Sequence, residues 1–381
     1  MPVQSESPKC PASIAQSRPH SKIEDVAVSA YTIPTDYPES DGTIAWDKTT
    51  LVLVEVNSEG ECGLGYTYAD LSTANLIRNK LADQIRDKNA MDVSGCHQAM
   101  LASIRNLGRP GIVSMAISAV DVALWDLKAR LLSLPLFRLL GAVREEVPIY
   151  GSGGFTSYSI KQLQSQLAGW TSIGISMVKM KVGREPQDDL ARVRAAREAI
   201  GPDTQLFVDA NGAYSRKQAL EFAEKFHEFE VRWFEEPISS DDLDGLHLLR
   251  ARAPSGMDIA AGEYGYDPIY FRRMLEAESV DVLQADATRC GGVTGFMHAG
   301  TLCLARCLPF SAHTAPSIHV HLGCAAERLR HLEYFHDHVR IERMCFEGVL
   351  DPIRGRLRPD PERPGLGLRL RRDEIRKYAV A

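Results

Sequence analysis

Several features that would place a chain in a class at once are missing from this one. No apolar run approaches the roughly 18 residues of a membrane-spanning helix, so no membrane role is expected. Positive charge is not in excess. Lys and Arg number 44 against 50 Asp and Glu, for a net charge of −6. That balance argues against nucleic acid as a partner and gives no polybasic patch for a lipid surface. No G-x-G-x-x-G follows a first strand, which removes the usual mark of dinucleotide binding. The eight cysteines (Cys10, Cys62, Cys96, Cys290, Cys303, Cys307, Cys324, Cys345) are scattered and outline no disulfide framework. With no basic-then-apolar leader at the start, a reducing cytoplasm is the expected location. Cys303 and Cys307 are four apart, but buried thiols are more often core residues than zinc ligands.

What is present is ordinary globular material: 44% hydrophobic and 25% charged residues over 381 positions, enough for two domains or one large barrel with additions. Residues 1–21 are polar and rich in Ser and Pro and are expected to be a disordered tail. Residues 22–145 show strand patterns at Ile23–Tyr31 and Thr50–Val56, then helical periodicity that is strongest over Ala116–Leu132. This is an α+β unit. Between its first strands, Pro34–Thr43 is acidic, carries two prolines and closes on Asp41-Gly42, so it is expected to be a loop. Over residues 146–340 short apolar runs alternate with helical segments. The strand candidates are Val147–Tyr150, Met177–Val182, Leu206–Asp209, Val231–Glu235, Ile259–Glu263, Val280–Asp286, Leu308–His313 and Leu332–Phe335. Eight such units predict an α/β fold of the closed (β/α)8 barrel type. Residues 341–381 return to loops and a basic tail that is expected to pack back on the first domain.

In a barrel the strand C-termini share one face, where active sites are built. Here seven consecutive strand ends each carry an ionisable group, spaced by one strand-helix unit. They are Lys179 with Lys181, then Asp209, Glu235, Glu263, Asp286, His313 and Glu333. Lys179 and Lys181, two apart in a strand, point to the same side, and crowding of two ammonium groups is expected to depress the pKa of Lys181 toward that of a usable base. Asp209, Glu235 and Glu263 on neighbouring strands would repel unless a hard cation sits between them, and three carboxylate oxygens with room for water or substrate suit Mg²⁺. Asp286 beside His313 would fix the imidazole tautomer and make it an acid or base opposite Lys181. Glu333 faces this site with no evident cation of its own, and if protonated it would donate a hydrogen bond to a developing oxyanion. His319-x-His321 and His336-Asp337-His338 lie outside this series. With Asp286 they are the basis of a rival reading, a zinc-dependent barrel hydrolase, although no His-x-His stands on the first strand.

These strand ends, together with the helix-forming Ser118-Ala-Val-Asp-Val-Ala-Leu-Trp-Asp126, resemble the mandelate racemase subgroup of the enolase superfamily. The resemblance runs over nearly the whole chain from about Lys22. It implies a barrel under an α+β capping domain (22–145), completed by the 341–381 segment, and a homo-oligomer acting on a small-molecule carboxylate. It also implies that Mg²⁺ binds the substrate carboxylate, that Lys181 or His313 takes the α-proton, and that Lys179 and Glu333 help hold the enolate. Dehydration of a sugar acid to a 2-keto-3-deoxy acid is the favoured outcome, and racemisation or epimerisation of a 2-hydroxy acid is the alternative. Substrate contacts are expected from Asp36, Glu39 and Asp41 in the first-domain loop, from Tyr68, and from Asn211. The three acids would disfavour a second substrate carboxylate, so a mono-acid is expected.

Overall fold

The computed structural model describes residues 20–380. The expected tail therefore lies almost wholly outside the described residues. Its last member, Ser21, is buried, and its carbonyl accepts the Ala90 N–H at 2.7 Å.

The chain opens with an antiparallel sheet, β1 (Asp25–Ser40), β2 (Ala45–Ser58) and β3 (Glu61–Tyr68), in that order. β2 is a continuous apolar run because both of its faces are covered. Leu51 and Leu53 face the barrel side, while Val52, Val54 and Val56 pack with the cap helices, among them Ile112–Leu131. The period-2 alternation of a strand thus divides one run between two cores.

The loop expected at Pro34–Thr43 is a correction. β1 continues through it to Ser40, with a register shift between Pro34 and Glu39, and only the Asp41–Ile44 segment turns. Pro34 and Pro38 are tolerated because β1 is an edge strand, where a missing N–H costs no ladder bond. The turn docks on the barrel rim. A Cβ on Gly42 would lie 2.2 Å from the Ala210 carbonyl oxygen and 2.8 Å from that of Val182.

The barrel strands follow: β4 (Val147–Gly153), β5 (Met177–Lys181), β6 (Gln205–Asp209), β7 (Val231–Glu235), β8 (Asp258–Ala261), β9 (Val282–Ala285), β10 (Phe310–Ala312) and β11 (Leu329–Phe335). All neighbours are parallel, and β11 pairs with β4 to close the ring. Alternation then decides what fills the interior. Tyr150, Phe207, Trp233 and His331 point inward at one level and form a fully buried plug, with Phe207 stacked on Trp233 at 5.4 Å and His331 edge-on to Tyr150 at 4.9 Å. Two residues further along each strand, the inward positions are Ser152, Asp209, Glu235 and Glu333, one pleat above the aromatic level.

Beyond the barrel, β12 (Phe346–Glu347) pairs with β14 (Arg369–Leu370), and β13 (Arg356–Leu357) adds to the start of β4. The last described residues touch the cap: Val380 N–H donates to the Ala30 carbonyl at 2.9 Å, and Arg372 pairs with Glu55. Among the described residues no helix is long and apolar enough to cross a membrane.

Candidate active site

Register brings the first groups together. Lys181 is paired with Asp209 across β5–β6, and Asp209 with Glu235 across β6–β7. Lys181 Nζ lies 2.5 Å from Asp209 Oδ2. Lys179 is fully buried, with Nζ 2.6 Å from Glu235 Oε1, 2.8 Å from Glu333 Oε1 and 3.2 Å from Asp209 Oδ2. Trp233 Nε1–H donates to the other Glu235 oxygen at 2.8 Å, and Asn211 N–H donates to Asp209 Oδ1 at 3.0 Å.

Glu263 arrives differently. Its strand ends at Ala261, and Gly262, at φ +134°, turns the chain so that Glu263 joins the group. A Cβ on Gly262 would sit 2.1 Å from the Gln284 carbonyl oxygen, so only glycine fits.

Asp209, Glu235 and Glu263 bring one oxygen each within 4.8 Å of one another, all buried, and no other cluster of three or more His, Cys, Asp or Glu with such spacing occurs among the described residues. The residues fit a cation. Glu263 Oε2 is buried with only the His313 imidazole, 3.2 Å away, beside it, and burial followed by the charge of Asp209 pushes Glu235 up to about 8. An all-oxygen donor set that resists its own third charge suits a hard divalent ion.

On the other flank, His313 Nδ1 bonds Asp286 Oδ2 at 2.9 Å, and Asp286 Oδ1 accepts from Thr288 N–H and Oγ1–H, both at 2.7 Å. Nε2 of His313 is left facing the carboxylates, 3.2 Å from Glu263 Oε2. Burial opposes the imidazolium, but Glu263 outweighs it and His313 rises to about 9.

Two expectations are corrected. Burial and Lys179 do pull Lys181 down, but Asp209 outweighs them and holds it above the usual lysine range. Glu333 does have a cation, Lys179, and accepts hydrogen bonds from Ser152 Oγ–H at 2.5 Å and Thr314 N–H at 3.1 Å. Burial works against its charge, yet Lys179 and His313 hold it below the ordinary carboxylate range. It is an acceptor here and not a protonated donor.

A cavity of about 380 Å³ opens above these groups, and Lys181, Glu263, His313, Glu333, Asp41, Tyr68 and Asn211 all line it. Asp36 and Glu39 do not. Asp36 lies 3.5 Å from His336 and 3.6 Å from Arg340, in a separate groove. Glu39 is buried under Trp46, whose Nε1–H it accepts at 2.9 Å, and burial followed by Asp337 pushes its carboxyl up to about 8. Both misplacements follow from β1 continuing as strand where a loop was expected.

The remaining histidines do not gather around a zinc site. His319 is tied to the Thr314 carbonyl at 2.7 Å, His321 to the Leu366 carbonyl at 3.2 Å, and His338 stacks on Tyr68 with ring centroids 3.4 Å apart. Three residues were missed in the sequence. Arg289 lies 3.4 Å from Glu263 Oε1 and 3.6 Å from Asp286 Oδ2, linking the carboxylate group to the dyad. Its spacing of three from Asp286 was the available signal. Glu236 is buried at φ +36° with Oε1 unpartnered, and burial, then Glu263, holds it well above the carboxylate range. The acidic doublet before Pro237 was its signal. His338 belongs to the cavity lining, and no strand-end rule could have found it.

Known proteins are similar to this chain over most of its length. Residues 25–141 match the mandelate racemase/muconate lactonizing enzyme N-terminal domain, and residues 162–374 match the enolase C-terminal domain-like model. L-talarate/galactarate dehydratase of Salmonella typhimurium is 30% identical over 326 residues, covering 82% of this chain and 81% of that protein. The structure of a mandelate racemase/muconate lactonizing enzyme-like protein from Rubrobacter xylanophilus superposes with a TM-score of 0.92 at 56% identity, covering 94% of this chain and 100% of that one. A racemase from Streptomyces coelicolor, solved with bound magnesium, superposes with a TM-score of 0.88 at 30% identity, covering 94% and 100%.

Proposed function

Because the chain belongs to the mandelate racemase/muconate lactonizing enzyme family of the enolase superfamily, we propose that it removes the proton α to a carboxylate in a Mg²⁺-dependent reaction, and that it dehydrates a sugar acid to a 2-keto-3-deoxy acid. One observation carries this reading: a buried three-carboxylate cluster has Lys181 on one flank and the His313–Asp286 dyad on the other. Asp209, Glu235 and Glu263 would hold the ion. Bound there, Mg²⁺ supplies positive charge that draws electron density from the substrate carboxylate and acidifies the neighbouring C–H.

The chain's own groups do the rest. Lys181 takes the α-proton once Asp209's charge is neutralised, because burial and Lys179 already pull it down. The C–H electron pair is held first in an enolate and becomes the C=C bond when the β C–O bond then breaks. Protonated His313 gives its Nε2 proton to the departing hydroxyl, which leaves as water, and the enol product tautomerises to the 2-keto acid. Lys179, held by Glu235 and Glu333, supplies fixed positive charge where the carboxylate becomes more negative. A second reading, racemisation or epimerisation, is supported by the same pair of flanks. Lys181 ends β5 and His313 follows β10, three strands apart around the closed ring, so each could serve one face of a planar intermediate.

The deciding experiment incubates the protein with Mg²⁺ and a panel of sugar acids and small α-hydroxy acids in D₂O. 2-Keto acid formation indicates a dehydratase, and a change in optical rotation without keto acid indicates a racemase or epimerase. Failure of every acid either to form a 2-keto acid or to exchange its α-proton for deuterium would overturn both.

A further inference from the structure

The far end of the cavity is built from β2, β3 and the helix that starts at His336, and its charges are unevenly committed. Three acids line it. Asp337 accepts from Thr49 Oγ1–H at 2.5 Å and pairs with Arg340 at 2.6 Å. Asp41 Oδ1 closes the hairpin turn, accepting from Thr43 N–H at 2.6 Å and Ile44 N–H at 2.8 Å. Asp70 caps the helix Leu71–Leu76 through Ser72. These carboxylates shape backbone or neutralise a neighbour. Of the cations lining the cavity, Lys181 is paired with Asp209, and Arg289 with Glu263 and Asp286. Lys48 is exposed at the lip and, among the described residues, has no hydrogen-bond or ionic partner.

Two neutral donors accompany it. Ala315 N–H donates to His338 Nδ1 at 3.4 Å, which places the ring hydrogen on Nε2. The Tyr68 hydroxyl, buried against the same ring, is without a hydrogen-bond partner, a costly state that an acceptor would relieve. A lone cation with two spare donors is complementary to a singly charged, acceptor-rich group.

We propose that the substrate is a diacid, an aldarate-like chain whose reacting carboxylate meets the carboxylate cluster and whose second carboxylate is held by Lys48, with Tyr68 Oη–H and His338 Nε2–H on its oxygens. The assignment of the near end rests on the proton-abstraction reading above. The mono-acid expectation is reversed because the acids behind it are turned away: Asp36 faces another groove, Glu39 is buried, and Asp41 is engaged in a turn. One free cation matches one added carboxylate charge, whereas a phosphate ester would bring nearly two.

The test compares aldarates and aldonates of the same configuration, pair by pair, with the Mg²⁺-loaded protein and its Lys48→Met variant. Two readouts are taken, α-deuterium exchange with turnover and the ligand-induced shift in Tm. The expected result is at least a tenfold preference in kcat/KM for the diacid. Lys48→Met should reduce diacid kcat/KM ten- to a hundredfold, mainly through KM, and bring the diacid to mono-acid ratio near one. Equal use of both acids, or an equal loss on both in the variant, would overturn the proposal. If no acid exchanges or turns over but the diacid still raises Tm in the parent protein and not in Lys48→Met, the catalytic reading fails and the diacid site stands. No diacid preference in either readout sinks the site itself.

Discussion

Lys181 and His313 serve different halves of one reaction, so their single variants should fail differently. Lys181→Ala should lower kcat about 10²–10⁴-fold, the usual range for a positioned acid or base. His313→Asn should lower turnover similarly while leaving α-deuterium exchange measurable, because the proton-abstracting group remains; NMR of substrate recovered from D₂O reads the difference. If both variants turn over at the parental rate, the roles are wrong. Glu235 adds a pH dependence. Its carboxyl is held up to about 8 without a cation, so ion binding must displace its proton. Mg²⁺ affinity should therefore strengthen as pH rises from 6 toward 8 and level off above it, with calorimetry in buffers of different ionisation enthalpy reporting the released proton. At this scale much was legible in sequence. Period-2 alternation and regular spacing are local properties, and they located Lys179, Lys181, Asp209, Glu235, Asp286, His313 and Glu333. The strengths of these groups were not legible, because Asp209 outweighing Lys179 at Lys181 is a matter of ångströms and burial.

Among the elements, the β8 end departs most from simple strand logic. Asp209 and Glu235 occupy the last positions of their strands, but Glu263 is two residues beyond Ala261 and depends on Gly262. Gly262→Ala would force a Cβ against the Gln284 carbonyl in a left-handed conformation, costing about 1–3 kcal/mol or a displaced turn. The expected outcome is a folded protein with Mg²⁺ affinity down tenfold or more, measured by titration calorimetry alongside circular dichroism; unchanged affinity would mean that Glu263 is not held in place by this turn. β1 shows why the cap was harder to read than the barrel. Its prolines and acids have loop chemistry, and only its position at the sheet edge makes them compatible with strand. That position comes from tertiary pairing, with β2 as its one neighbouring strand in the sheet, which no window of sequence reveals. Asp36 and Glu39 were misplaced for this reason, and Lys48 was overlooked for the same one.

The whole molecule also buries titratable groups that the proposed reaction does not use, and these contribute to its response to pH. Glu342 is buried, accepts Tyr66 Oη–H at 2.6 Å and Ser317 Oγ–H at 2.6 Å, and is raised from 4.5 to about 7, burial being the leading cause. A carboxyl with a raised folded pKa binds its proton more tightly when folded. Its stabilising contribution is full below about 4.5 and is lost as pH climbs through 7. His331, in the plug, runs the other way. Burial pushes it down to about 3, so its contribution is present above about 6.5 and is lost on acidification. Urea unfolding should show falling stability between pH 5 and 8, and Glu342→Gln should make that limb shallower, with Glu39 and Glu235 supplying what remains of it, while the acid limb persists; an unchanged slope would remove Glu342 from the account.

The plug has a further consequence, for traffic. Tyr150, Phe207, Trp233 and His331 seal the barrel from below, and the sheet of β1–β3 covers it from above. Substrate and product share the one cavity between these covers, with exposed Lys48 in its lining. Product still in place bars the next substrate, so the keto acid should inhibit competitively, and the pace of a full cycle is open to control by whatever loosens the hairpin that closes on Gly42.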